Sequence, residues 1–321
     1  MNKSIKILLS VVLIAALIAF FSFYSRPKGG FSPEVIASIT SKPISEVSGM
    51  AKSIGYENTY WVVNDSGNEA RLFAINREGN NVIPTFSRFS YFGEEKVDGK
   101  EQWTGFRVLY AENTDWEAMT IDENYLYVGD TGNNLNNRRD LGIYLLSEID
   151  PTASTQSAAI RHIPVHYPEQ ESFPGFDHHY FDSEALFIFE GSLYLITKHR
   201  KVSGGYEAGA NLYRLDSMSE EESNPLTLVD RHSEMLAVTG AEVSPDGQKL
   251  AVISYTDLWV FDRPAEGDAW LSSSARRYPL DESVVEQVET VIWDDEQTLL
   301  LTNEQRKLFR VDLGLLGEIT P

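Results

Sequence analysis

Acidic side chains recur in this sequence at fixed places within a repeated unit, and their spacing suits two kinds of chemistry. The unit joins a polar or acidic residue to a small residue and then an apolar one. Its copies are Ser48-Gly49-Met50, Glu117-Ala118-Met119, Glu184-Ala185-Leu186, Thr239-Gly240-Ala241 and Glu289-Thr290-Val291. Two places before each copy stand Glu46, Asp115, Asp182, Ala237 and Gln287. Side chains at i and i+2 of a strand share a face, so Asp115 with Glu117, and Asp182 with Glu184, are expected to point the same way. Crowded carboxylates raise one another's pKa unless a cation neutralises them. Such a cluster serves either as oxygen ligands for a hard cation, calcium before others, or as a source of a general acid or base.

Further candidates lie in the connecting loops. Asn64-Asp65-Ser66-Gly67-Asn68 and Gly129-Asp130-Thr131-Gly132-Asn133 share a D-[ST]-G-N core. This is an Asx-turn pattern in which glycine supplies a positive φ; the alternative reading makes Asp65 and Asp130 cation ligands at a channel mouth. Thr197-Lys198-His199-Arg200 breaks the acidic pattern, so Lys198 and Arg200 could seat an anionic group, as could Arg138, or they could ion-pair with the acidic ring. The His178-His179 pair offers a metal ligand or general base, or is simply exposed. The metal candidates are thus Asp65, Asp115, Glu117, Asp130, Asp182 and Glu184. Ligand-binding candidates are Glu46, Arg138, Lys198, Arg200 and Glu289, and the catalytic candidates are Lys198, His178 and His179.

Each unit opens a hairpin, and it recurs every ~50–70 residues, the signature of an all-β propeller whose innermost strands line a central channel. The pattern predicts five four-stranded blades, with six as the alternative. Glu34–Thr40 is an orphan strand that completes the last blade. The stretch 81–113 carries no unit and is expected to be an insertion. Blades one to three hold the acidic pairs and the basic triplet, which places the expected site on their side of the channel.

The 321 residues include 42% hydrophobic side chains, enough for a sizeable core, and a net charge of −21, which opposes nucleic-acid binding. The absence of cysteine excludes a disulfide scaffold and thiolate metal sites. Residues 1–25 carry an uncharged apolar run, Ile7 to Tyr24, between basic flanks and with no small-residue cleavage pattern after it. They are expected to anchor the chain in the inner membrane as a single-pass helix, or otherwise to act as a cleaved signal. A linker, 26–33, then leads to the propeller, 34–321, in the periplasm.

In its ordered motifs E-V-S-G-M (46–50), W-V-V-N-D-S-G-N (61–68), D-W-E-A-M (115–119), Y-V-G-D-T-G-N-N (127–134), D-S-E-A-L (182–186), T-K (197–198) and V-T-G-A-E-V-S-P-D-G (238–247), the chain resembles a group of bacterial exported β-propellers. More distantly it is similar to SdiA-regulated and phytase-like propellers. The resemblance implies an exported propeller, and by analogy with the phytase-like group a calcium-dependent ester hydrolase. The function expected first is binding of a small ligand or protein partner at the acidic channel face, with a divalent cation. The alternatives are a metal-dependent hydrolase of phosphate or carboxylate esters, with Lys198 binding the anionic group, and an inert interaction scaffold.

Overall fold

The computed structural model describes residues 30–86, 96–97, 100–101 and 103–316. The expected anchor at 1–25 and most of the linker lie outside the described residues. Among the described residues no helix is long and apolar enough to cross a membrane.

The compact unit Phe31–Pro321 is a β-propeller. Strand β1 (Glu34–Ser38) precedes the first antiparallel meander, which runs β2 (Val47–Lys52), β3 (Tyr60–Asn64) and β4 (Arg71–Ile75). A two-stranded ribbon follows, β5 (Lys96–Val97) with β6 (Lys100–Glu101), and then β7 (Phe106–Leu109), which pairs with β4 as the fourth strand. The second meander is β8 (Trp116–Ile121), β9 (Leu126–Asp130), β10 (Gly142–Leu146) and β11 (Gln156–His166). The third is β12 (His179–Phe189), β13 (Ser192–Arg200), β14 (Tyr206–Leu215) and β15 (Asn224–Leu236). The fourth is β16 (Val238–Val243), β17 (Lys249–Ser254), β18 (Asp257–Asp262) and β19 (Ala275–Pro279). The fifth, β20 (Val288–Trp293), β21 (Thr298–Asn303) and β22 (Lys307–Asp312), takes β1 as its outer strand. Covering that edge with the N-terminal strand removes a row of unpaired backbone groups.

The innermost strands touch in cyclic order, β2 to β8, β12, β16, β20 and back to β2. Hydrophobic layers fill the gaps between successive sheets. Trp61 and Trp116 pack between the first two meanders, Ile143 and Leu195 between the next two, and Phe187 and Trp270 between the third and fourth. Trp293 and Phe309 lie between the fourth and fifth, and Phe73 and Ile292 close the ring. Each such buried side chain contributes about 1.5–3 kcal/mol over an exposed one, so the core lies between the sheets and not at the axis.

One expectation changes here. The stretch 81–113 is not wholly an insertion, because Phe106–Leu109 completes the first meander; residues 87–95, 98–99 and 102 lie outside the described residues. Glycine in the repeated unit has a packing cause. A Cβ on Gly49 would lie 3.0 Å from the backbone of Ala118 and Met119, and one on Gly240 would lie 3.1 Å from the backbone of Glu289 and Val291. The small residue is required because neighbouring inner strands approach almost backbone to backbone.

Candidate ligand and cation site at the channel mouth

The repeated units converge on the axis. Gly49, Ala118, Leu186, Gly240 and Thr290 line a central space of only about 10 Å³, so the channel is pinched shut at its middle. At the units the first hairpin of every meander carries a β-bulge. The register skips Ser48, Glu117, Glu184, Thr239 and Glu289, leaving each opposite no residue of its partner strand. A bulge re-aims the extra side chain out of the regular alternation. The polar residue of the unit is therefore the bulged one, a more specific cause of convergence than the two-residue alternation expected from sequence.

The bulged positions divide by type. The Ser48 hydroxyl donates to the Trp116 carbonyl at 2.6 Å, and the Thr239 hydroxyl donates to the Val288 carbonyl at 2.9 Å, each stapling its sheet to the next. Glu117, Glu184 and Glu289 instead line a cavity of about 200 Å³ above the pinch. Glu46, Asp65, Lys198, Arg200, Tyr206, Tyr255 and Glu304 complete most of its wall. The long strands of the third meander, 9–13 residues each, carry Lys198, Arg200 and Tyr206 up to it.

Asp65, Asp115 and Glu117 place carboxylate oxygens within 4.8 Å of one another. Burial, then the charges of Asp65 and Asp182, push the Asp115 carboxyl up to about 6. Burial and the nearby Asp65 charge raise Glu117 well above the usual carboxylate range. Three oxygen donors at this separation, with no basic side chain among the described residues ion-paired to any of them, fit a hard divalent cation.

Other expected ligands are placed differently. The Asp130 carboxylate accepts from the Asp115 backbone N–H at 3.0 Å and pairs with Arg138 at 2.9 Å, outside the cavity lining, so it braces the loop. Arg138 is itself committed to Asp130, to Asp140 and to the Gly132 carbonyl. Asp182 is fully buried, accepting from the Asn133 N–H at 2.7 Å and pairing with Arg200 at 2.9 Å and Lys198 at 3.6 Å. Burial would raise its pKa, but the Lys198 and Arg200 charges outweigh burial and hold it low. Lys198, 1% exposed, also pairs with Glu184, so it balances charge within the wall and is not free to seat an anion.

The His178 ring packs tilted against Tyr180 with centroids 4.3 Å apart, and a His179 ring nitrogen meets the Gly175 carbonyl at 3.2 Å; neither lines the cavity. The two loop glycines differ as well. Gly67 has φ +82°, as an Asx-turn expects, whereas Gly132 has no positive φ and lies against the Asp115 and Glu117 carboxylates.

The cavity extends beyond the expected side of the channel. Tyr255 and Glu304, unmarked in the sequence reading, occupy the position just after the second strand of their meanders, as Asp65 does in its own. The Tyr255 hydroxyl donates to Glu289 at 3.0 Å, and the Gln287 amide donates to Glu304 at 2.8 Å. Burial raises both of these glutamates, Glu289 strongly. Their distance from the unit varies, since Asp65 lies 17 residues after Ser48, Tyr255 16 after Thr239 and Glu304 15 after Glu289, so a fixed spacing does not mark them.

No family model matches the chain, and no curated protein matches its sequence. Among solved structures, it is similar to the PQQ-bound aldose sugar dehydrogenase of Streptomyces coelicolor at 10% identity and TM-score 0.47, covering 88% of this chain and 98% of that one. A luciferin-regenerating enzyme matches at 13% identity and TM-score 0.44, over 89% and 77% of the two chains. Hydrazine synthase of Kuenenia stuttgartiensis matches at 11% identity and TM-score 0.41, over 92% and 82%. None of these likenesses carries an activity to this chain.

Proposed function

We propose that this chain is a membrane-anchored, periplasmic β-propeller that binds a small polar ligand at the acidic mouth of its channel, with a divalent cation held by Asp65, Asp115 and Glu117. The observation that carries this reading is the convergence of those three carboxylates beside a cavity of about 200 Å³. Oxygen-only donors favour calcium, and the cation would order the cavity wall for its ligand. The sequence motifs shared with exported propellers and the apolar run in residues 1–25 support the location.

Calcium added to the full-length chain is expected to raise its melting temperature, and a chelator is expected to reverse the rise. Glu117→Gln is expected to lose the response. Acidification is expected to weaken it too, because the cation requires ionised ligands and the Asp115 carboxyl takes up its proton near pH 6. A wild-type protein whose melting is indifferent to calcium, magnesium and manganese would remove the cation from this reading. Anchoring predicts that the full-length chain stays with membranes through alkaline carbonate extraction; its release into the soluble fraction would remove the anchor.

A further inference from the structure

The mouth end of the channel carries apolar side chains that the fold holds out in water. Leu135, 62% exposed, stands on the connection that leaves β9, and Phe176, 81% exposed, on the one that enters β12. Val202 is exposed at the tip of the β13–β14 hairpin. These connections are braced. The Asn136 side chain is fully buried, accepting from the Phe181 N–H at 3.0 Å and donating to the Asn133 carbonyl at 2.7 Å. Gln170 donates to the Asn136 carbonyl at 2.8 Å, and the Arg139 guanidinium lies 3.8 Å over the Phe173 ring, so the first two connections pack on each other. His179 pairs with Arg200, which sets the hairpin tip Lys201–Gly205 beside the segment that carries Phe176. The group borders the cavity, whose wall includes Asn134 and Arg200. Clustered exposed apolar side chains rimmed by polar ones mark a contact with a protein or a membrane.

The path of the chain favours the membrane. The Phe31 N–H donates to the Pro279 carbonyl at 2.7 Å, and the Phe31 carbonyl accepts from the Asp281 N–H at 2.9 Å. Residues 280–287 run from there into β20, and Gln287 at their end joins the cavity wall. The chain therefore enters the propeller beside a mouth-side connection. Between the anchor expected at 1–25 and Phe31 stand only residues 26–30, which reach at most ~18 Å. A bilayer holding that anchor is within reach of the mouth-side rim, where leucine, phenylalanine and valine side chains gain by leaving water. Asp140 and Asp177 are exposed on the same connections as Arg139, so the attraction is apolar and needs no anionic lipid.

We propose that this rim, with Leu135, Phe176 and Val202 at its points, rests in the headgroup layer of the membrane, so that the cavity opens toward the bilayer. This rests on the reading of the chain as membrane-anchored and adds the face that meets the lipid. The absence of cysteine makes a labelling test direct. Leu135→Cys, Phe176→Cys and, as a control, Ile54→Cys are each made in the full-length chain and labelled with an environment-sensitive fluorophore. Each is then reconstituted in phosphatidylcholine vesicles that contain a spin-labelled lipid. Ile54 is 57% exposed on the β2–β3 connection, at the opposite end of the channel. The labels replacing Leu135 and Phe176 are expected to be quenched at least about twofold more strongly than the control, equally in low and high salt. Equal quenching at the three sites overturns the contact. Quenching that changes as the protein is diluted among more vesicles assigns the patch to a second copy of the chain, and also overturns it. A chain that does not float with the vesicles overturns the anchor and this contact together, whereas a floating chain whose labels stay unquenched overturns this contact alone.

Discussion

Replacing Lys198 by methionine is expected to destabilise the propeller by about 3–5 kcal/mol, the usual cost of leaving a buried charge without its partner. Lys198 is 1% exposed and Asp182 is fully buried, 3.6 Å from its ammonium. The same ammonium pairs with Glu184, whose side chain is 6% exposed. Arg200 remains in the variant, 2.9 Å from Asp182 but 4.0 Å from Glu184, so it cannot serve both carboxylates equally. Urea denaturation should therefore show a large fall in midpoint, and adding Glu184→Gln to Lys198→Met should recover part of it. The pH dependence has a definite sign. Lys198 helps hold Asp182 below its usual range, so the stabilisation is present above the unfolded carboxylate pKa and is lost as pH falls through the lower folded value. Without Lys198 the Asp182 pKa rises, and the variant's deficit against wild type should shrink on acidification. A loss under about 1 kcal/mol would match an exposed pair and contradict the burial described.

The same residues show what the sequence could disclose. The repeated unit was legible because two separate demands fall on it. Gly49 and Gly240 must be small where inner strands meet, and Glu117, Glu184 and Glu289 occupy bulges that aim them at the axis. Covalent neighbours alone carry that pattern. Partners distant in the chain do not: Asp130 has the same residue type as Asp65, yet Arg138 and the Asp115 N–H occupy it. Tyr255 and Glu304 repeat a position and not a residue type, so composition gave no cue. Phe106–Leu109 was hidden for a related reason, since an outer strand lies far from the axis and carries none of the unit's constraints.

Gly132→Ala should weaken the cation response by about 10–100-fold without touching a ligand, the range seen when the support behind metal ligands is altered. A Cβ at Gly132 would collide with the Asp115 carboxylate and come within 2.8 Å of Glu117 Oε1. Alanine suits the backbone there, because Gly132 has no positive φ, and its N–H to the Asp115 carbonyl and its own carbonyl to Arg138 are unaffected by a methyl group. The atoms in the way are the ends of flexible side chains, so the fold survives while the two carboxylates are driven apart. Gly67→Ala is the matched opposite. Gly67 has φ +82° and open space around its Cβ position, so alanine there costs stability through the backbone and leaves the carboxylates where they are. Calcium titrations of the two variants should separate them: lost affinity with near-native melting in the first, lowered melting with retained affinity in the second. If Gly132→Ala bound calcium as wild type does, the ion would not be held between Asp115 and Glu117. The glycine common to both D-[ST]-G-N loops thus meets a backbone demand in one loop and a site demand in the other, and calcium affinity is the measurement that tells them apart.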